Sequence, residues 1–216
     1  MKQSLTMLAA AFLLAAVSPA HASSSVDLSV KGLITPSACT PLLSDGGVVD
    51  HGKIAAKDLN KYSNTQLPDA TLRLTINCEA VTLIALKSTD NRHGTSIVHS
   101  PSYPEPSAFG LGLASGNRKI GGYMLKMLSS TAEGTPRGVI ESVDGKTWFD
   151  APDGTVWQPS WMRTLSAATG SAAMPLPMKV FSSDLNISTW IFHANYLPIA
   201  EEIPLDGNAT LDVVYL

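Results

Sequence analysis

Alternation is what most narrows the folds open to this chain. In "TLRLTINC", Leu72, Leu74, Ile76 and Cys78 share one parity, and Arg73, Thr75 and Asn77 share the other. Only an extended strand sends every second side chain to the same face, so this run predicts a strand with one buried face. The same period recurs at Val26, Leu28 and Val30, and in "VTLIALKS" at Val81, Leu83 and Ala85. It returns in the closing "NATLDVVYL", where Leu211, Val213 and Tyr215 oppose Thr210 and Asp212. Helical periodicity is scarce. Asp-Gly pairs at Asp45-Gly46, Asp144-Gly145, Asp153-Gly154 and Asp206-Gly207 separate the runs. They supply the positive φ of tight hairpin turns. Short strands between such turns predict an all-β antiparallel sandwich or barrel. Two stretches are less regular. "GYMLKMLSS" fits a strand or a short helix, and Pro101, Pro104 and Pro106 mark a surface loop.

Composition limits the function classes. "MKQSLTMLAAAFLLAAVSPAHA" has a cationic start, an apolar run from Leu5 to Val17 and a small-x-small ending. It reads as a secretory leader over residues 1–22, cleaved between Ala22 and Ser23. A mature chain of about 194 residues is then one domain. No second run reaches the roughly 18 apolar residues of a spanning helix, so no membrane insertion of the mature chain is expected. The formal charge of −3 gives no basic footprint for nucleic acid. Cys39 and Cys78 are an even pair in an exported chain and read as a disulfide. Closing a loop of about 40 residues stabilises by roughly 4 kcal/mol on a chain-entropy estimate.

Nothing in the sequence assembles a catalytic centre. His51, His93, His99 and His193 sit in no nucleophile or metal motif, and His93 and His99 read as exposed loop residues. In "GLGLASG" the third glycine comes one residue too late for a dinucleotide fingerprint, so the segment reads as a strand and turn. No enzyme activity, cofactor or metal is therefore expected. Asn186-Ile187-Ser188 and Asn208-Ala209-Thr210 match the glycosylation triplet, a pattern that arises often by chance. Trp148, Phe149, Trp157 and Trp161 lie close together. Two readings stand for them: a small core packed under a loop, or an exposed set in which Trp148, Trp157 and Trp161 stack on sugar rings.

Four features together resemble structural subunits of chaperone–usher fimbriae. "VKGLITPSAC" places Gly32 seven residues before Cys39. "VVDHGKI" is similar to the Val-Asp-x-Gly strand of pilins, "LRLTINC" carries the second cysteine at the end of an apolar strand, and Tyr215 is penultimate. The segments "DHGKI", "LRLTINC" and "IPLDGNATLDVVYL" are similar to beta-fimbrial or fimbrial-like major subunits. The resemblance covers roughly residues 26–90 and 200–216.

The resemblance implies an immunoglobulin-like β-sandwich lacking its final strand, over residues 23–216, with an elaborated middle within 101–170. Leu211, Val213 and Tyr215 would lie on the strand bordering the groove so exposed. Val26, Leu28, Val30 and Gly32 would belong to a donor strand. A periplasmic chaperone lends the missing strand first, and a sister subunit replaces it after passage through an outer-membrane usher. An unpaired edge over an apolar groove is an aggregation hazard, which explains the need for a chaperone. The function implied is a fibre subunit at the cell surface, exported through the periplasm and serving adhesion. The competing expectation is a self-sufficient secreted sandwich that binds host or surface glycans through Trp148–Trp161.

Overall fold

The fold is that of a computed structural model describing residues 26, 28–31, 38–97 and 107–216. The expected leader with its Ala22–Ser23 cleavage point, Gly32, His99 and the loop prolines lie outside the described residues. The chain divides into two units, Met1–Thr35 and Pro36–Leu216. In the first, Val26, Leu28 and Val30 are about nine-tenths exposed, at 95%, 90% and 89%.

The second unit is all β among its described residues, apart from short 3-10 turns. Its strands are β1 (Cys39–Leu43), β2 (Thr65–Gln66), β3 (Ala70–Thr82), β4 (Ile84–Asp90) and β5 (Phe109–Gly110). Next come β6 (Leu113–Ala114), β7 (Arg118–Lys119), β8 (Gly121–Ala132), β9 (Thr135–Pro136) and β10 (Gly138–Ser142). Last are β11 (Phe149–Asp150), β12 (Val156–Trp157), β13 (Met162–Ser166), β14 (Met178–Ile191) and β15 (Ala209–Tyr215). One sheet runs β1-β3-β14-β8-β12, with β2 on β14 and with β5 and β9 on β8. The second runs β11-β10-β13-β4-β15, and β6 and β7 pair with each other as a separate two-stranded sheet. Every pairing between named strands is antiparallel, and the two sheets form a β-sandwich. Residues 107–170 supply nine strands, β5 to β13, and β8 lies well inside the first sheet.

The alternation in "TLRLTINC" holds along β3. Leu72, Leu74, Ile76 and Cys78 are buried in the main core with Leu125, Met127, Phe181, Leu185 and Leu165. The alternation predicted for "VTLIALKS" breaks. Val81 is 66% and Leu83 37% exposed, while Ile84, Ala85 and Leu86 are buried. The cause is topological. The chain leaves the first sheet after Thr82 and enters the second at Ile84, so its parity resets at Leu83. "GYMLKMLSS" is strand β8. It matched neither period because both of its faces are covered at first. Tyr123, Leu125 and Met127 join the main core, while Met124 packs with Ala108 and Trp190 on the other face.

Cys39 and Cys78 are bonded, and they are also direct register partners between β1 and β3. One buried ion pair stiffens the second sheet. The Arg163 guanidinium, 1% exposed, donates to Glu141 at 2.8 Å and to the carbonyls of Thr155 and Val156. Removing one partner of such a pair leaves an uncompensated buried charge.

Candidate functional site: an open groove beside the last strand

β15 is the last strand of its sheet and pairs only with β4. The ladder fixes which backbone groups are used. Asn91 N–H donates to the Asn208 carbonyl, and Leu216 N–H to the Leu83 carbonyl. In an antiparallel pair, successive residues turn their amide groups to opposite sides. Asn208, Thr210, Asp212, Val214 and Leu216 therefore face β4. The N–H and C=O groups of Ala209, Leu211, Val213 and Tyr215 face the open edge, and no strand pairs with them among the described residues.

That edge borders a cleft of about 1300 Å³. One wall is the β15 side: Ile203, Leu205, Gly207, Ala209 and Leu211. The opposite wall is Val49 to Ala56, and the floor is the inner face of the first sheet at Leu72, Leu125, Leu185, Ile187 and Ile191. Residues 48–55 hold no strand pairing, so "VVDHGKI" is an unpaired extended wall rather than the expected strand. Asp50 shapes it by accepting the Gly52 N–H at 2.7 Å. The wall also carries His51, whose Nε2 is buried without a hydrogen-bond partner.

Two links tie the groove-edge strand to its surroundings. The Cys39 N–H donates to the Tyr215 hydroxyl at 3.0 Å, joining the edge strands of the two sheets. Just before β15, Asp206 receives two Arg92 hydrogen bonds of 2.8 Å each. The Arg92 guanidinium holds the Asp206 carboxyl below its ordinary range. Beneath them Tyr123 has its phenol pushed up, first by burial and then by Asp90.

The family described as "Protein of unknown function (DUF1120)" matches residues 28–124. The chain is 30% identical to Protein GltF of Escherichia coli (strain K12), covering 90% of this chain and 89% of that one. It is also 28% identical to the protein YhcF of the same organism, covering 91% of this chain and 93% of that one. The chain belongs to the DUF1120 family.

The residues singled out from this DUF1120 sequence fall into three groups. Leu211 lines the cleft, Val213 packs on the main core, and Tyr215 is 41% exposed with its hydroxyl engaged. Val26, Leu28 and Val30 are exposed and belong to no strand among the described residues. The tryptophans do not form one platform. Trp157 is 0% exposed within the main core and donates its indole N–H to the Trp161 carbonyl, so it is withdrawn from any ligand; Trp148 and Trp161 are half-buried. The covering reading of the aromatics therefore holds for Trp157, with the main core in place of a second small one. Among the described residues no group of His, Cys, Asp and Glu is placed to hold a metal.

Sequence reasoning missed the length of the β15 wall. Its signal was present, because Ile203 and Leu205 lie on the parity of Ala209, Leu211 and Val213. Asp206-Gly207 was read as a hairpin turn and hid that continuity. The structure overturns the turn. Gly207 is not in the left-handed region, and a Cβ there would meet Tyr123 at 2.9 Å and Leu111 at 3.0 Å. The glycine is needed for close approach.

Proposed function

We propose that this protein is a non-enzymatic structural subunit of a surface fimbria or fimbrial-like fibre, assembled by β-strand donation and serving cell adhesion. The observation that carries this reading is the edge of β15, unpaired among the described residues, beside a groove whose floor is apolar. A strand laid there gains main-chain hydrogen bonds from four residues, and its alternate side chains enter the cleft. A periplasmic chaperone supplies that strand first, then a sister subunit after export through an outer-membrane usher. Val26, Leu28 and Val30 are the exposed alternating side chains that this chain offers in return.

The test is expression of the mature chain alone and together with a periplasmic chaperone of the fimbrial type. The expected result is aggregation or proteolysis of the lone chain and a soluble one-to-one complex with the chaperone. A lone chain that is monomeric and resists both proteolysis and self-association would overturn the proposal.

A further inference from the structure

Away from the groove, the β6–β7 hairpin presents a cation over an aromatic cluster. A three-residue loop joins β6 to β7, and Gly116 and Asn117 hold positive φ of 73° and 57° there. Glycine and asparagine are the residues that adopt this region most readily. The loop fixes the exposed Arg118 at the start of β7, and its guanidinium lies over the Tyr196 ring, 4.9 Å from the centroid. Among the described residues, no hydrogen bond or ion pair engages that guanidinium, so its N–H fork is available while one face is stacked.

The surroundings point to a ring-shaped ligand. Phe192 packs on His193 at 4.2 Å and edge-on to Tyr196 at 5.0 Å. The Nδ1 of His193 is buried without a hydrogen-bond partner. The neighbouring segment is tied alongside, with Ala194 N–H donating to the Asn60 carbonyl and Asn195 N–H to the Lys61 carbonyl. Tyr62, adjacent to Lys61, is 84% exposed. The backbone ties thus bring the segment ending in Lys61-Tyr62 beside Asn195, the chain neighbour of the Tyr196 that lies under Arg118.

We infer that Arg118, Tyr62 and Tyr196 form a binding site for a sugar ring bearing a carboxylate. A planar fork takes a carboxylate through two parallel hydrogen bonds, and stacking on Tyr196 fixes that plane in advance. The exposed face of Tyr62 suits the apolar face of a pyranose, and the site costs little ordering because its cation sits on a tight hairpin. This site does not involve the groove, so it stands or falls independently of strand donation.

The experiment is ligand-observed and protein-observed NMR on the full mature chain, kept soluble as its one-to-one complex with the periplasmic chaperone, or by itself where the lone chain is monomeric, with the chaperone alone as the blank. Glucuronate, galacturonate and N-acetylneuraminate are titrated against glucose and galactose. At least one acidic sugar is expected to bind tenfold more tightly than the neutral ones, with contacts from tyrosine ring protons. Arg118→Ala removes that preference, Arg118→Lys weakens it by losing the planar fork, and Tyr62→Ala lowers affinity for acidic and neutral rings alike. Trp148→Ala leaves binding unchanged. The inference is overturned if no acidic sugar binds, if acidic and neutral sugars bind equally, or if Arg118→Ala binds as the parent does. Unchanged melting temperatures for these exposed-residue variants separate lost binding from lost fold.

Discussion

At the scale of the residue, Asp-Gly pairs that look alike in sequence do different physical work. Asp144-Gly145 is a turn, with Gly145 at φ 72°. The Asp144 carboxylate accepts the Lys146 and Thr147 N–H groups and the Ser142 hydroxyl, which hold its pKa down to about 2. Asp206-Gly207 is instead the place where the groove wall comes closest to the floor. Only the packed structure separates the two, since the clash partners Leu111 and Tyr123 are far away in sequence. Gly207→Val is accordingly expected to destabilise the fold by about 1–3 kcal/mol, because both neighbouring side chains belong to buried residues and have little room to move. A urea titration checks this: the midpoint falls while the slope stays unchanged. A midpoint equal to the parent's would mean that the approach at Gly207 is not tight.

At the scale of the element, the sequence shows which segments are strands better than where they go. β3 from residue 70 to 78, β14 from 181 to 189 and β15 from 209 to 213 keep the alternation because each buries one face against the main core. β4 and β8 lost it for physical reasons that no local window contains. One begins just after the chain changes sheets, and the other is covered on both faces. For β15 the groove-facing parity was legible, but the free edge was not, since an edge is a property of pairing. That edge makes a prediction about adjacent residues. The Val214 N–H faces β4, so Val214→Pro removes a ladder bond and is expected to destabilise the domain. The Val213 N–H faces the open edge, so Val213→Pro is expected to keep most of the fold while deleting a donor that an incoming strand needs. Thermal melts together with chaperone capture distinguish the two. Equal loss of stability in both variants would show that the parity of the edge is misassigned.

At the scale of the molecule, the sandwich has a complete core and an unfilled side. The cleft is bounded by β15 and its preceding segment, by Val49 to Ala56 and by the first sheet; its floor at Leu72, Leu125, Leu185 and Ile187 is apolar, and polar side chains such as Asp50, His51, Glu201 and Glu202 stand among its lining residues. Such a surface gains from any strand of matching period, whatever chain supplies it. This allows a test without a partner protein. Leu216→Asn, followed by an added Gly and then Val-Thr-Val-Thr-Val-Thr-Val, makes a two-residue Asn-Gly turn from which the added strand can fold back antiparallel with its valines opposite Tyr215, Val213, Leu211 and Ala209, along the free groups of those residues. Burying a valine is worth roughly 1.5–3 kcal/mol at most, and in a domain of this size each kcal/mol moves the melting temperature by about 2–4 °C. Three or more inward valines should raise it by about 10 °C after ordering costs. The control shifts the same residues by one position, which turns threonines into the cleft and valines to solvent. A rise with the first register and little or none with the second would establish that the groove selects alternating apolar side chains. Equal melting temperatures for the two registers would remove the groove as the assembly surface, since general stickiness of the added segment does not depend on its parity.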